Sequence, residues 1–166
     1  MGRLLVVEDD RDLRLLLRYV LVRAGHDVST VADGATALHA SAVDRFDLVL
    51  LDNLMPGMDG VEVLEALSRR RRECRPRTLV LSGLVEPEDV RRYFDLGALG
   101  VVAKPFAQAD LLDRVAAALA SPLPLTDDDR ADEQQDADAP ARPVLLDLPR
   151  ARPFATADVA HLVRSA

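Results

Sequence analysis

A single lysine, Lys104, stands against twenty arginines in this sequence, and there is a single cysteine, Cys74. One cysteine excludes an internal disulfide framework and fits a reducing compartment, so a cytoplasmic location is expected. Long apolar runs are also missing: nothing approaches the roughly 20 residues that would cross a bilayer. The opening MGRLLVVEDD meets acids too soon for a secretion signal. Membrane insertion is therefore not expected. Positive charge is in deficit, with a net charge of -7, which argues against nucleic-acid binding through overall charge. No internal repeat is present. The preference for arginine runs through the whole chain and reads as a coding bias, which makes the one lysine the position to explain.

What is present is an alternation of short apolar runs with helical patterns. The runs are RLLVV (3–7), DVSTV (27–31), DLVLL (47–51), RTLVLS (77–82) and GVVA (100–103). Four are almost continuously apolar, as parallel strands buried on both faces should be, and the more polar second run suits an edge. Leu13, Leu16, Leu17, Val20 and Leu21 share one helical face, with Gly25 at its stop. Leu111, Leu112, Val115 and Leu119 repeat the pattern before Pro122. Asp59 can cap a helix from about Val61, Pro87 suits the first turn of another ending before Gly97, and an alanine-rich helix is expected over 34–43. The order is (βα)5, which predicts an α/β fold, a doubly wound five-stranded parallel sheet with helices on both faces.

This pattern fills residues 1–121. Residues 122–155 hold the acidic DDDRADEQQDAD (127–138) and a proline-broken stretch, and are expected to be a disordered linker. Residues 156–166 can form one short helix, capped by Thr156, with Val159, Leu162 and Val163 on one side.

In an open α/β sheet, ligands bind beyond the carboxyl ends of the strands. The residues there are Glu8, Asp9 and Asp10 after the first run, Asp52 after the third, Ser82 at the end of the fourth, and Lys104–Pro105 after the fifth. Clustered carboxylates raise one another's pKa, and a cation relieves that cost. An all-oxygen set suits Mg2+, which completes its shell with water and phosphate oxygens. No His or Cys stands among these positions, which argues against zinc or copper. Asp52 can act as a nucleophile and accept a phosphoryl group. A lysine ammonium and a serine hydroxyl would then neutralise and hold its oxygens. Each residue alone has an ordinary reading. Asp10 and Asp12 can equally be turn or cap residues, and Ser82 or Lys104 could be a plain loop hydroxyl and a solvated charge. The combination, each at the correct strand end, is what carries the reading.

LLVVEDD, LVLLDNLMPGMDG, LVLSG and VVAKPF, in this order and spacing, resemble the response-regulator receiver domain of two-component signalling over about residues 2–121. The resemblance implies the flavodoxin-like strand order 2-1-3-4-5. It implies Asp52 as phosphoacceptor, supplied by a sensor histidine kinase or phosphotransfer protein. Asp9 would ligate Mg2+ directly and Glu8 through water, with Asp52 and the backbone carbonyl of Leu54 also on the metal. Ser82 would be the switch hydroxyl, Lys104 the phosphate-binding lysine, and Lys104–Pro105 a cis peptide that aims the amine. Asp10 falls just outside the acidic pair. Relatives commonly place Tyr or Phe three residues before the lysine, and here that residue is Val101.

Two function classes are compatible with these residues: a phosphoacceptor switch, and a pseudo-receiver that uses the fold for interaction without phosphorylation. An aspartyl-nucleophile phosphatase would need a second Asp where Leu54 stands, and a flavin carrier would not place EDDRD against a phosphate. The chain is thus expected to be a switch and not an enzyme. The RRRRECRPR stretch (69–77) lacks interleaved aromatics and reads as a solvated helix end and loop. The output expected is contact with a downstream protein and not with DNA.

Overall fold

The computed structural model describes residues 1–83 and 86–123. The expected linker beyond Leu123 and the short helix at 156–166 lie outside the described residues. Five strands, β1 (Arg3–Val7), β2 (Asp27–Val31), β3 (Leu48–Asp52), β4 (Arg77–Ser82) and β5 (Gly100–Ala103), alternate with α1 (Arg11–Arg23), α2 (Gly34–Val43), α3 (Gly60–Ser68), α4 (Pro87–Asp95) and α5 (Gln108–Ala120). All pairings are parallel, in the order β2-β1-β3-β4-β5. The more polar β2 is an edge strand, as its composition predicts, and β5 is the other edge. β3 runs one residue later than the apolar run suggests, because Asp52 still sits in the ladder opposite Leu81.

Side chains alternate between two apolar layers, the period-two consequence of a pleated strand. Leu4, Val6, Leu48, Leu50, Leu79, Leu81 and Val102 face α1 and α5, meeting Leu17, Leu21, Leu111 and Val115. Leu5, Val7, Val49, Leu51 and Val80 face the other way, meeting Ala37 of α2, Val63, Leu64 and Leu67 of α3, and Tyr93 of α4. Complete burial on both faces explains why these strands read as continuous apolar runs.

Helix ends obey their local chemistry. Asp10 caps α1, accepting from Leu13 N at 2.7 Å, and Asp33 caps α2, accepting from Thr36 N at 2.8 Å. At α3 a reciprocal box forms: Asp59 accepts from Glu62 N at 2.8 Å while Glu62 accepts from Asp59 N at 3.0 Å. Pro87 opens α4, but Glu86 before it makes no side-chain cap. The arginine stretch is less solvated than its composition suggests. Arg70 donates to the carbonyls of Ser41 (2.7 Å) and Leu38 (3.0 Å), clamping α3 to α2, and Arg77 donates to the Ser121 carbonyl at 2.8 Å. Planar guanidinium groups thus reach backbone carbonyls of α2 and of the end of α5, with Ser41 and Ser121 at helix ends.

Candidate functional site

The carboxyl ends of β1, β3, β4 and β5 converge on one rim, and each brings its own chemical group. β1 delivers Glu8, which is almost fully buried at 1 % exposure, and then Asp9, which is exposed. β3 delivers Asp52, 5 % exposed, β4 delivers Ser82, 1 % exposed, and the residue after β5 is the half-buried Lys104. Carboxylate oxygens of Glu8, Asp9 and Asp52 lie within 4.8 Å of one another.

Lys104 Nζ joins two of these groups. It sits 2.7 Å from Glu8 Oε2 and 2.8 Å from Asp52 Oδ1. Its backbone N–H donates to the Ser82 carbonyl at 2.7 Å, and the peptide to Pro105 is cis. Burial pushes the Glu8 carboxyl upward, the bond and charge of Lys104 pull it back, and the neighbouring Asp52 pushes it up again, so that it ends above the ordinary carboxylate range. For Lys104 burial works downward, but the bonds and charges of Asp52 and Glu8 outweigh it and hold the ammonium above its usual range. One ammonium thus serves two buried carboxylates, with a third acid at their edge. That excess of negative charge, carried only by oxygen donors, fits a hard divalent cation such as Mg2+. Asn53 Oδ1, next in sequence to Asp52, is also buried without a hydrogen-bond partner among the described residues.

The segment after Asp52 is shaped around it. Leu54 N lies 3.5 Å from Asp52 Oδ1, the Leu54 side chain is exposed, and Met55 returns to the core. Gly57 takes a positive φ of 84°, and Gly60 N donates to the Asn53 carbonyl at 2.9 Å. A Cβ on Gly60 would stand 2.4 Å from the Asp52 carbonyl oxygen, so only glycine lets α3 start this close to the acid.

The sequence positions Glu8, Asp9, Asp52, Ser82 and Lys104 are therefore brought together. Asp10 is not part of the cluster: its carboxylate is spent on the α1 cap. Val101 of β5 is half-buried in the apolar layer shared with Val80 and Tyr93. Two contributors escaped the sequence reading. Arg14 Nη1 donates to the backbone carbonyls of Glu8 (2.6 Å) and Asp9 (3.0 Å), fixing the acidic turn from α1. Tyr93 is the one buried side chain of α4 and packs in the apolar layer with Val80 and Ala98. Both sit in helices, where nothing but tertiary packing distinguishes them from their neighbours; the position of Arg14 one turn after two acids is the only sequence hint.

The sequence matches the profile of the response regulator receiver domain over residues 4–116. It is similar to the alkaline phosphatase synthesis transcriptional regulatory protein PhoP of Bacillus subtilis, at 36% identity over 70% of this chain and 48% of that protein. It is similar to the transcriptional activator protein PfeR of Pseudomonas aeruginosa, at 41% identity over 70% of this chain and 37% of PfeR. The chain thus spans about half the length, or less, of these relatives. Among solved structures, the chemotaxis response regulator CheY4 of Vibrio cholerae superposes with a TM-score of 0.67 at 31% identity, covering 71% of this chain and 98% of CheY4.

Proposed function

The chain belongs to the response regulator receiver domain family of two-component signalling, and we propose that Asp52 is its phosphoacceptor. The observation that carries this is the Lys104 ammonium held at 2.8 Å from a nearly buried Asp52 carboxylate, with two further acids beside it. Receiver domains are generally phosphorylated by histidine kinases and generally bind Mg2+, so the donor is a kinase phosphohistidine. In the transfer, an Asp52 carboxylate oxygen forms a bond to phosphorus as the phosphorus–nitrogen bond breaks and the imidazole keeps the electron pair.

Glu8, Asp9, Asp52 and the backbone carbonyl of Leu54 are the residues to hold Mg2+. When bound, the ion neutralises charge on the phosphoryl oxygens and lowers the cost of bringing an anion to this rim. Lys104 supplies a compact cation that can leave the Glu8 carboxylate for a phosphoryl oxygen without a large movement, being 2.7 Å from one acid and 2.8 Å from the other. Ser82 supplies a hydroxyl donor from the end of the adjacent strand. Arg14 keeps the Glu8–Asp9 backbone from moving as charge arrives.

We infer further that the chain is a switch, whose turnover is limited to its own phosphorylation and dephosphorylation, and that its output is contact with another protein. The relatives named above are transcriptional regulators, and DNA binding is the reading that competes. Support for protein contact comes from the sequence beyond Leu123, where DDDRADEQQDAD carries seven acids against one arginine, a charge that repels a nucleic-acid backbone. No helix among the described residues is long and apolar enough to cross a membrane.

The test of the acceptor is direct. The full chain, incubated with Mg2+ and acetyl phosphate, should gain the mass of one phosphoryl group, and Asp52→Ala should gain none. A gain that persists in Asp52→Ala moves the acceptor elsewhere. A wild-type chain that no small donor or kinase phosphorylates is a pseudo-receiver.

A further inference from the structure

The arginine stretch after α3 and the point where the chain leaves α5 are one location. Residues 69–77 hold six arginines. Two are spent inside the fold, Arg70 on carbonyls of α2 and Arg77 on the Ser121 carbonyl. Arg69, Arg71 and Arg72 are exposed. Arg69 pairs with Glu65 one turn earlier, while Arg71 and Arg72 have no carboxylate partner among the described side chains. Guanidinium charges gathered in this way make a surface that attracts anions. The end of α5 is drawn to the same collar. Arg77 Nε lies 2.8 Å from the Ser121 carbonyl and Arg72 Nη2 lies 3.5 Å from the Leu123 carbonyl. Leu123 is half-buried and lines a cavity with Leu64, Leu67, Arg75 and Leu96. The acidic run starts at Asp127, four residues on. Because a chain advances at most about 3.6 Å per residue, Asp127 stands within about 14 Å of Leu123 by any path.

We propose that the acidic segment Asp127–Asp138 of this same chain docks on the arginine collar at Arg69, Arg71 and Arg72, and shields it from nucleic acid. Charge and reach both select this occupant. The segment carries seven acids against one arginine, and it is tethered beside the collar by residues 124–126. A single exposed ion pair is weak and is screened by salt. Here several acids meet several guanidinium groups, and a short tether makes their meeting intramolecular, with an effective concentration on the order of millimolar. The other end of the sheet repels the segment, because Glu8, Asp9 and Asp52 crowd that rim. β4 starts at Arg77 and ends at Ser82, so the collar and the rim stand about 16 Å apart along the strand. The docked segment therefore neutralises a surface that would attract a nucleic-acid backbone, and it leaves the rim open to a phosphoryl donor.

Cys74, the single cysteine, is exposed within the collar and offers a site for a probe. In the full chain at low salt, a nitroxide on Cys74 should broaden the NMR signals of amides 132–138. Amides 127–129 are kept near by the tether alone, so 132–138 are the reporters. Replacing Arg69, Arg71 and Arg72 together with Gln should restore the 132–138 signals and leave the spectrum of 1–121 in place, since all three side chains are exposed. Raised salt should restore them in the wild type. Sharp 132–138 signals in the wild type at low salt, or broadening that persists in the triple variant, overturns the docking. A second variant keeps the arginines and replaces the seven acids of 127–138 with Asn and Gln. It should bind a short DNA duplex about tenfold more tightly than the wild type at low salt. Equal affinity in these two chains, including none in either, overturns the shielding. Equal affinity that the triple arginine variant loses makes the collar an open nucleic-acid surface instead.

Discussion

Helices α3 and α4 are each nine residues long, and each comes after a strand that ends in a site residue: Asp52 before α3, Ser82 before α4. They are attached in opposite ways. α3 buries Gly60, Val63, Leu64, Leu67 and Ser68 and starts on a reciprocal cap, whereas α4 buries Tyr93 alone and starts on Glu86, which makes no cap bond. The stability of a helix in a protein comes mostly from the face it packs, and local opening depends on the same packing. The proposed acceptor Asp52 is therefore followed by a firmly held helix, and Ser82 by a lightly held one. The proposed switch would need both: an acceptor that keeps its geometry, and a neighbour that can change at low cost.

The contrast can be broken by substitution, and the largest effects should fall on the α3 side. Leu64→Ala should cost about 2–5 kcal/mol in denaturant unfolding, the usual loss for an emptied core site. Phe94→Ala on α4 should stay within about 0.5 kcal/mol, as for exposed positions. Equal losses would refute the difference in attachment. Mg2+ at about a hundredfold excess over its dissociation constant should add about 2.7 kcal/mol to wild-type stability, and a chain lacking Asp9 and Asp52 should lose that gain. No shift at millimolar Mg2+ would remove the metal site from the account.

Two glycines, Gly60 at the start of α3 and Gly83 directly after β4, sharpen the contrast. A Cβ on Gly60 meets the Asp52 carbonyl oxygen at 2.4 Å, while one on Gly83 meets nothing within 4 Å. Gly60→Ala should therefore cost about 1–3 kcal/mol through overpacking against backbone, and Gly83→Ala should be near neutral. The smallest effect is at the caps. Asp59→Ala should lose about 1 kcal/mol, and Glu86→Ala should lose nothing measurable, since no cap bond is there to remove.

Much of this architecture is legible in the residues. Buried parallel strands announce themselves as apolar runs, and the rim lies at their carboxyl ends. Glu8, Asp9, Asp52, Ser82 and Lys104 are therefore found at or just beyond the last residue of each run. The strand order itself comes from the family resemblance, because alternation of strand and helix leaves several orders open. Asp10 shows where local chemistry is ambiguous: an acid after a strand can be a ligand or a cap, and only the 2.7 Å bond from Leu13 N decides for the cap. The arginine stretch shows another limit. Charged side chains near a helix end read as solvated, yet Arg70 and Arg77 reach carbonyls 29 to 44 residues away in sequence. Tyr93 is hidden for the same reason. In the run VRRYFD it is one of two adjacent aromatics on a polar helix, and only the packed structure shows that Tyr93 is buried in the layer with Val80 while Phe94 is left outside.

The central claim is that α4 is a lightly held neighbour of the proposed acceptor, beside a firmly held α3. Hydrogen exchange of the full chain, with and without Mg2+ and beryllofluoride, measures this most directly. In the unmodified protein, amides of 87–95 should exchange faster than those of 60–68, and adding the phosphoryl mimic should alter exchange in 87–95 while leaving 60–68 unchanged. Equal exchange in the two helices, or a response confined to 60–68, would contradict it.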